Sequence, residues 1–435
     1  MTFVFPSING RKPEERSGHV AVHYDGYIVV WGGYHRVRID YHFENKRLEI
    51  HSSGDTLTLR FIGSPEHGPE VAFPGVHFVV DKYHHSNEVW LYCIETSTWK
   101  QIETSGEEPP PMSGSSACVM EGKSMFIFAG HCDGGPTSTV FVLDLKTFVW
   151  ENLTSRIQGN PPSPRDKLCC WTHNDLILYF GGYGLAPDPE RVDQSNGYFT
   201  FNSSGEEQFT DNRGWNSHLF VLDTSSLTWI QPKTKGRPPS PRAAQASAQI
   251  ANMAYLFGGR HMERRRNDLH SLNMDTLEWS GSISTTGNVP QGRTWHSLSP
   301  ASDKHLFLYG GFNNDQDALG DAYILDTSTM TWFQLTVPSN PSSPMTRMWH
   351  TACCTSLPGE VVIFGGCTSS VLDDDPNHTA SILIFRFTPP RLNWLCADAI
   401  VNKYYSTISK QLKSLPKNLL ASLFLHRRLK ALGKI

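Results

Sequence analysis

Residues 14 to 387 consist largely of short runs in which apolar and polar positions alternate, and the runs end at glycine, proline or small polar residues. This alternation predicts β-strands joined by turns, because successive side chains of a strand point to opposite faces of a sheet. One pattern recurs, an apolar run that ends in an aromatic residue and two small residues. Its six copies are Trp31-Gly32-Gly33, Phe128-Ala129-Gly130, Phe180-Gly181-Gly182, Phe257-Gly258-Gly259, Tyr309-Gly310-Gly311 and Phe364-Gly365-Gly366. The sequence therefore predicts an all-β fold built from six repeats.

Two further features keep a fixed place in the repeats. A second strand, a polar turn and a tryptophan follow the first five copies, whereas the sixth has the apolar run Ile382–Phe385 and no tryptophan. The five tryptophans are Trp99, Trp150, Trp229, Trp279 and Trp332. A loop precedes each small-residue pair, and the six loops open at Arg16, Met112, Arg165, Arg242, Arg293 and Arg347. These openings carry variable polar or aromatic residues.

The glycine pair, the spaced aromatic residues and the four strands of each copy resemble the kelch repeat family over residues 14–387. The resemblance implies a six-bladed kelch β-propeller in which each repeat forms one blade. Paired glycines would let the inner strands crowd the central channel, and the tryptophan would pack between blades whose faces cannot be buried alone. The sequence does not indicate how the ring of blades closes.

Two intervals are longer than a blade needs. Residues 37–82 lie within blade one, and a smaller insert spans residues 198–213. The first contains the strand-like segment Thr56–Phe61 and then a run rich in glycine and proline. We interpret it as a mobile surface loop, with an error in the gene model as the alternative.

After Pro389-Pro390 the spacing of apolar residues becomes helical, which predicts a helical tail over residues 388–435. A helix that packs on the propeller would explain this spacing by itself. The segment 392–400 also resembles the BC box through which ubiquitin-ligase receptors bind Elongin C, and 415–423 resembles a cullin-2 box. The matching residues are Leu392, Cys396 and Ile400 in the BC box and Leu415, Pro416, Leu419 and Leu423 in the cullin-2 box. The two boxes, in this order after a kelch array, favour the ligase interpretation.

Kelch repeats followed by these two boxes resemble the kelch domain-containing protein 1/2 family, most distinctively in segments 213–216, 258–270, 293–297 and 347–352. The resemblance implies a substrate-recognition subunit of a cullin-2 E3 ubiquitin ligase. Elongin B/C, cullin-2 and its RING subunit would be its partners. Its substrates would be proteins that end in glycine, captured by their C-terminal carboxylate for ubiquitination and proteasomal degradation. The alternative is a kelch scaffold that binds proteins and has no ligase role.

The resemblance also implies which residues bind the substrate. Arg260 and Arg265 would clamp the terminal carboxylate, aided by the hydroxyl of Thr294, and Lys167 would reach a backbone carbonyl near that end. Aromatic walls that favour glycine are implied at Tyr34, Tyr183, Trp215 and Trp295. Two guanidinium groups repel each other until an anion arrives, and a chain terminus offers two acceptor oxygens that an internal peptide bond lacks.

The two arginines have simpler roles as alternatives. Arg260 follows a glycine pair and could form an ion pair with Glu263 or Asp268. Arg266 would replace Arg265 as the ligand if the register shifted by one residue.

The other site residues also have alternatives. Lys167 could form an ion pair with Asp166, and the four aromatic residues could pack between blades. Thr294 stands where the relatives have serine, so its extra methyl group narrows the pocket or shifts its preference.

Charge and targeting signals limit the remaining functions. The net charge of −4 and pI near 6.5 argue against nucleic acid as a partner, since phosphate binding needs a strongly basic face. The first residues have no long apolar core, so we expect no signal peptide, no membrane span and an intracellular protein. Nucleus and cytoplasm both remain open, with a slight preference for the nucleus.

Cysteine and histidine spacings argue against metal and catalytic sites. The nine cysteines occur singly or as adjacent pairs, and Cys-x-x-Cys is absent from the sequence, which disfavours disulfide frameworks and zinc knuckles. His19, His296 and His350 occupy repeat positions, and catalytic motifs such as His-Glu-x-x-His do not occur. We therefore expect no cofactor, no metal and no enzymatic activity.

Overall fold

The computed structural model describes residues 1–4, 6, 11–41, 46–53, 56–63, 76–188, 197–202, 212–338, 344–370, 373 and 376–387, with the backbone alone for residues 2, 4, 38–41, 46–53, 56–63 and 76–79. All regular elements in these ranges are β-strands. The BC box and the cullin-2 box, at 392–400 and 415–423, lie outside the described residues.

Six antiparallel four-stranded sheets form the body of the protein, and each sheet is one blade. Blades 1 to 3, from the innermost strand outward, comprise Val20–Tyr24, Tyr27–Trp31, Glu88–Cys93 and Thr98–Glu103; Ser116–Met120, Ser124–Cys132, Gly135–Asp144 and Val149–Asn152; and Cys169–His173, Leu176–Phe180, Leu219–Asp223 and Thr228–Ile230. Blades 4 to 6 comprise Ala246–Ile250, Met253–Phe257, Leu269–Asn273 and Glu278–Ser280; Ser297–Pro300, His305–Asn313, Ala318–Asp326 and Thr331–Leu335; and Thr351–Cys354, Glu360–Phe364, Ile382–Arg386 and Thr2–Val4.

Short strands extend three of the blades and form two small separate sheets. Ser105–Gly106, Lys235–Arg237 and Thr286–Gly287 add a parallel outer strand to blades 2, 4 and 5. Arg293–Thr294 pairs with the second strand of blade 5. A separate sheet has the order Arg165–Asp166, Tyr183–Leu185, Arg213–Asn216 and Phe199–Phe201, and a small hairpin joins Arg260–His261 to Arg264–Arg265.

The innermost strands show that the blades form a closed ring. Each innermost strand contacts that of the next blade, and the strand of blade 6 contacts the strand of blade 1. The N-terminal strand Thr2–Val4 supplies the outermost strand of blade 6, antiparallel to Ile382–Arg386. The fold is therefore the six-bladed β-propeller that the repeats predict, and the two ends of the propeller sequence share its last blade.

Six of the seven hydrophobic clusters within the described residues lie between neighbouring blades, one at each interface, and the seventh contains Phe312, Met348 and Cys367. Each repeat tryptophan packs on the aromatic residue before the small-residue pair of the preceding blade; the ring centroids of Trp332 and Phe257, for example, lie 5.2 Å apart. Blade 6 has no repeat tryptophan, and Phe385 takes that place against Tyr309 at 5.0 Å. Phe3 of the N-terminal strand packs edge-on against Phe385 at 4.8 Å.

The glycine pair is explained by the loops of two adjacent blades. A Cβ on Gly365 of blade 6 would lie 2.7 Å from the imidazole of His19 in blade 1, and one on Gly366 would lie 2.8 Å from the Cβ of His350 in its own blade. Both glycines also have positive φ, at 66° and 92°. Sequence reasoning placed this steric conflict in the central channel, whereas the structure places it between the pair and these loop histidines.

Residues Arg36–Lys82 form a second compact unit, which includes the interval 37–82 identified as an insert. Its backbone contains two pairs of strands, and the pair formed by the central segment is antiparallel. Tyr34–Tyr41 pairs with Val76–Tyr83, and Lys46–Ser53 pairs with Thr56–Gly63. In the smaller insert at 198–213, Phe199–Phe201 pairs with Arg213–Asn216.

Candidate functional site

A closed ring of backbone hydrogen bonds surrounds the propeller axis. It is formed by the third residue of each of the six loops that precede the small-residue pairs, and each N–H donates to the carbonyl of the equivalent residue in the preceding blade over 2.8 to 3.0 Å. The ring residues are Gly18, Gly114, Lys167, Ala244, Trp295 and Trp349. All six have positive φ, between 54° and 68°. The ring fixes one loop of every blade relative to its neighbours.

Three of the ring residues carry large side chains, and these side chains lie close together. Trp295 and Trp349 stack with ring centroids 5.2 Å apart and planes 17° apart. Lys167 belongs to blade 3, opposite blade 6, and its Nζ lies 5.3 Å from the centre of the Trp349 ring. Tyr34 packs edge-on against Trp349 at 5.4 Å. Three of the predicted site residues therefore meet around one tryptophan that sequence reasoning did not select.

The two predicted arginines lie opposite each other on the blade 4 hairpin. Arg260 and Arg265 are cross-strand partners, so their side chains project from the same face of the hairpin. The guanidinium of Arg260 lies 5.9 Å from the centre of the Trp215 ring, and that of Arg265 lies 4.6 Å from Phe312. Cation–π contact thus places each guanidinium beside one aromatic ring.

Arg265 is a half-buried cation that lacks an anion among the described residues. Among those residues, no carboxylate lies within ion-pair distance of the Arg265 guanidinium, and the buried Nε of Arg265 has no hydrogen-bond partner. Burial, and then the positive charge of Arg260, lower the pKa of Arg265, while Glu263 opposes the shift. This geometry disfavours the charge in the free protein and would favour a bound anion.

Of the two alternative ion pairs of Arg260, the structure contains the one with Glu263. Its Nη2 lies 3.6 Å from Glu263, but both side chains are well exposed, so this pair contributes little. Asp268 instead accepts two hydrogen bonds from the buried Arg242, at 2.7 and 2.8 Å, and lies 2.9 Å from His270. Asp268 is thus already engaged and forms no ion pair with Arg260 in the structure.

Arg266 occupies a different position from Arg265. It follows the hairpin, and its Nη2 lies 3.5 Å from His261 Nδ1. The hairpin register places Arg265, and not Arg266, directly across from Arg260.

The remaining predicted residues lie around these two groups. Tyr183 and Trp215 are neighbours on adjacent strands, with ring centroids 5.3 Å apart, and Trp215 is buried. Lys167 does form the ion pair considered as an alternative, with its Nζ 2.5 Å from Asp166 Oδ2. Thr294 is buried and its hydroxyl has no hydrogen-bond partner within the described residues.

Sequence reasoning missed two site residues, and both had a detectable signal. Trp349 holds the same loop position as Trp295, in the segment Arg347-Met-Trp-His350. Phe312 directly follows the glycine pair of blade 5 and connects the two groups, since it packs on Trp295 at 5.8 Å and lies beneath Arg265. We call the combined set Tyr34, Lys167, Tyr183, Trp215, Arg260, Arg265, Trp295, Phe312 and Trp349 the axial cluster.

The histidines at repeat positions have structural roles. His19 and His350 are buried and lie within hydrogen-bond distance of the hydroxyls of Thr351 and Ser297, at 2.8 and 2.9 Å. Burial lowers the pKa of His350 to about 3, so the ring is neutral at physiological pH. These histidines therefore support the loops and are not members of the axial cluster.

Comparisons with known proteins agree with this architecture. The family model described as the KLHDC2/KLHL20/DRC7 Kelch-repeats domain matches residues 72–298 and 245–391. The bovine kelch domain-containing protein 2 is 37% identical over 415 residues, which cover 94% of this chain and 90% of that protein. The human kelch domain-containing protein 1 is 36% identical over 412 residues, or 94% and 89% of the two chains.

The solved structure of YjhT has the same fold. It aligns with a TM-score of 0.54 at 14% identity and covers 86% of this chain and 96% of YjhT. No helix in the described ranges has the length and apolar character needed to cross a membrane.

Kelch-repeat proteins are generally binding scaffolds without catalytic activity. The matches span nearly the whole chain and most of each curated relative, and the propeller contains the six blades that the repeats predict. The chain therefore belongs to the kelch domain-containing protein 1/2 family of kelch-repeat propellers.

Proposed function

We propose that the axial cluster captures the C-terminal carboxylate of other proteins, and that this chain is a substrate-recognition subunit of a ubiquitin ligase. The observation that carries the proposal is the pair Arg260 and Arg265. Two guanidinium groups project from one face of a hairpin, and Arg265 has no anionic partner among the residues described.

A terminal carboxylate fits this charge arrangement. Its two oxygens accept hydrogen bonds from two guanidinium groups at once, and its charge offsets the effects of burial and of the neighbouring Arg260, which lower the pKa of Arg265. An internal peptide carbonyl has one oxygen and no net charge, so it would bind the two guanidinium groups much more weakly. The Nζ of Lys167 in the cluster and the buried hydroxyl of Thr294, which lies opposite Phe312, are further donors.

The aromatic residues support a preference for glycine. Trp349 packs against both Tyr34 and Trp295, and Tyr183 packs on Trp215. Rigid aromatic side chains leave little room for adjustment, so a terminal residue without a side chain is the best fit. Proteins that end in glycine are therefore the proposed substrates.

The ligase role rests on the tail sequence and on the family. Leu392, Cys396 and Ile400 have the spacing of a BC box, and Leu415 to Leu423 that of a cullin-2 box. We propose Elongin B/C, cullin-2 and its RING subunit as partners, in the nucleus or cytoplasm. A kelch scaffold without a ligase role is the second candidate, because the propeller alone supports both.

Peptide binding tests the carboxylate clamp. A fluorescent peptide that ends in Gly-Gly should bind as the free acid and lose most of its affinity as the C-terminal amide. A peptide with one added C-terminal lysine controls for the position of the terminus. Equal binding of acid and amide would eliminate carboxylate capture.

Copurification tests the ligase role separately. The wild-type chain, expressed with Elongin B/C, should copurify with Elongin C, and the double variant Leu392→Ala, Cys396→Ala should not. Peptide binding should be unchanged in that variant, which shows that the propeller is intact. Failure of the wild-type chain to copurify, with normal peptide binding, would favour the scaffold.

A further inference from the structure

Three metal-ligating side chains meet where the chain enters and leaves the second compact unit. His35 directly precedes the unit Arg36–Lys82, and His84 lies two residues beyond its end. Glu14 comes from the segment that leads into blade 1. One ligand atom from each of the three lies within 4.8 Å of the others. These residues are separate from the axial cluster and take no part in the proposed function.

The spacing of the three groups is close to that of a metal site. His84 Nδ1 lies 3.9 Å from Glu14 Oε2, and the two imidazole rings are 5.2 Å apart. Ligand atoms about 2.0 to 2.1 Å from a tetrahedral zinc ion are about 3.4 Å from one another. Small torsional adjustments, mainly of the exposed Glu14, would bring the atoms to that separation.

The hydrogen bonding of His84 is the second observation. Its Nε2 lies 3.1 Å from the carbonyl oxygen of Glu15, and because a carbonyl can only accept, the proton is on Nε2. In the neutral ring the lone pair is then on Nδ1, the atom nearest Glu14. Histidines that bind metals commonly donate the other ring N–H to a backbone carbonyl in this way.

Burial and backbone contacts hold this arrangement in place. His84 is 4% exposed, and its backbone N–H donates to Gly33 at 3.0 Å, so its position is fixed. The side chain of Glu14 is 66% exposed, which leaves a route for an ion from solvent.

We propose that Glu14, His35 and His84 bind a zinc ion or a similar divalent transition metal, with water as a fourth ligand. Two imidazoles and one carboxylate are a common ligand set for zinc, and imidazole disfavours magnesium and calcium. The bound ion would join the segment before blade 1 to His35 and His84, which flank the second unit in the sequence.

Zinc binding to the full-length chain tests the site. Metal-free protein titrated with zinc chloride against a fluorescent chelator should bind one zinc tightly. Glu14→Gln and His35→Ala should each weaken this affinity at least about tenfold, since even the loss of an outer-shell partner costs that much. His85→Ala is the matched control, because His85 is exposed and adjacent to the site, and it should leave zinc affinity unchanged.

Cobalt and folding controls make the result decisive. Cobalt added to the wild-type chain should give the visible absorption of a tetrahedral site, and Glu14→Gln should lose it while its circular dichroism stays that of the wild type. If the wild-type chain binds no zinc, or if Glu14→Gln and His35→Ala bind it as well as His85→Ala, the proposal is wrong. If the wild-type chain binds no zinc, the contact between Glu14 and His84 is a simple ion pair.

Discussion

Neutralising the two arginines one at a time should weaken peptide binding to different extents. Truncating one partner of a buried charge pair costs about 2 to 5 kcal/mol, or about 30-fold to 4,000-fold in affinity. Arg265 is half-buried and contacts the Phe312 ring, whereas the side chain of Arg260 is 39% exposed and screened by water. We therefore expect Arg265→Gln to fall in the upper half of this range and Arg260→Gln near its lower end.

A thermodynamic cycle isolates the carboxylate contribution. The free-acid and amide forms of the Gly-Gly peptide are each titrated by fluorescence polarisation into the wild-type chain and both glutamine variants. The amide lacks the charge that the arginines would bind, so the substitutions should change its affinity little. If Arg265→Gln weakens acid and amide equally, the arginine acts on the shape of the site and the clamp is refuted.

The same variants have a stability readout. Arg265 has a lowered pKa because burial and Arg260 disfavour its charge, so the folded state is penalised while the group is protonated. Arg265→Gln removes this penalty and also a cation–π contact, and its unfolding free energy should stay within about 0.5 kcal/mol of the wild type. A large destabilisation in urea unfolding would instead assign Arg265 a structural role.

Three further predictions concern the fold. The pKa of His350 is about 3 in the folded state and about 6.5 in the unfolded state. The neutral ring therefore stabilises the folded protein fully above pH 6.5, and this stabilisation is lost as the pH falls toward 3. His350→Gln, which copies the equivalent Gln245, should therefore reduce the slope of unfolding free energy against pH by about 1.4 kcal/mol per pH unit; an unchanged slope would mean that the ring is charged when folded. Trp332→Ala should lower the unfolding free energy by about 3 to 5 kcal/mol because the ring is fully buried. Phe333→Ala, at a 51% exposed position, should lower it by less than about 1 kcal/mol. Similar losses for the two variants in urea unfolding would contradict the packing described. Phe3→Ala should cost about 1 to 2 kcal/mol in the same assay because the half-buried ring packs on the last blade, and no change would argue against closure by the N-terminal strand.

The repeats allowed the fold to be predicted because each blade uses the same residues for the same contacts. Every repeat tryptophan packs on the aromatic residue before a small-residue pair, so one pattern determines five of the six interfaces. Ring closure could not be predicted, because the closing strand Thr2–Val4 is only three residues long and lies outside the repeats. In the sequence, its partner strand Ile382–Arg386 could be recognised only as part of a sixth repeat that lacks the tryptophan.

The irregular second blade shows a similar limit. Ala129 replaces the first glycine of its pair, with φ of 61°. In blades 4, 5 and 6 the equivalent glycine faces a histidine ring of the next blade, but blade 3 has Leu168 at that position, and Leu168 packs in one cluster with Ala129. The substitution depends on a residue about 40 positions away, which no local pattern reveals.

The site residues could be chosen from the sequence only through family resemblance. Lys167, Trp295 and Trp349 share a loop position, but nothing local shows that a lysine of blade 3 reaches a tryptophan of blade 6. That contact arises because the backbone ring brings the loops of all six blades together. Trp349 was overlooked because an aromatic residue at a repeat position is equally well explained by packing between blades.

The backbone ring also explains why a charged site can be rigid here. Each ring residue uses its N–H and its carbonyl to bind the two neighbouring blades, so a loop cannot move without breaking two hydrogen bonds. The arginine hairpin is held to blade 5 by a reciprocal pair, in which the Arg265 N–H donates to Asn314 over 2.8 Å and Asn314 donates back over 3.0 Å. Because the hairpin register holds the two arginines directly across from each other, their repulsion is retained in the free protein. A ligand with two anionic oxygens would relieve that repulsion without first ordering the site, and preorganisation of this kind favours specificity for a chain terminus.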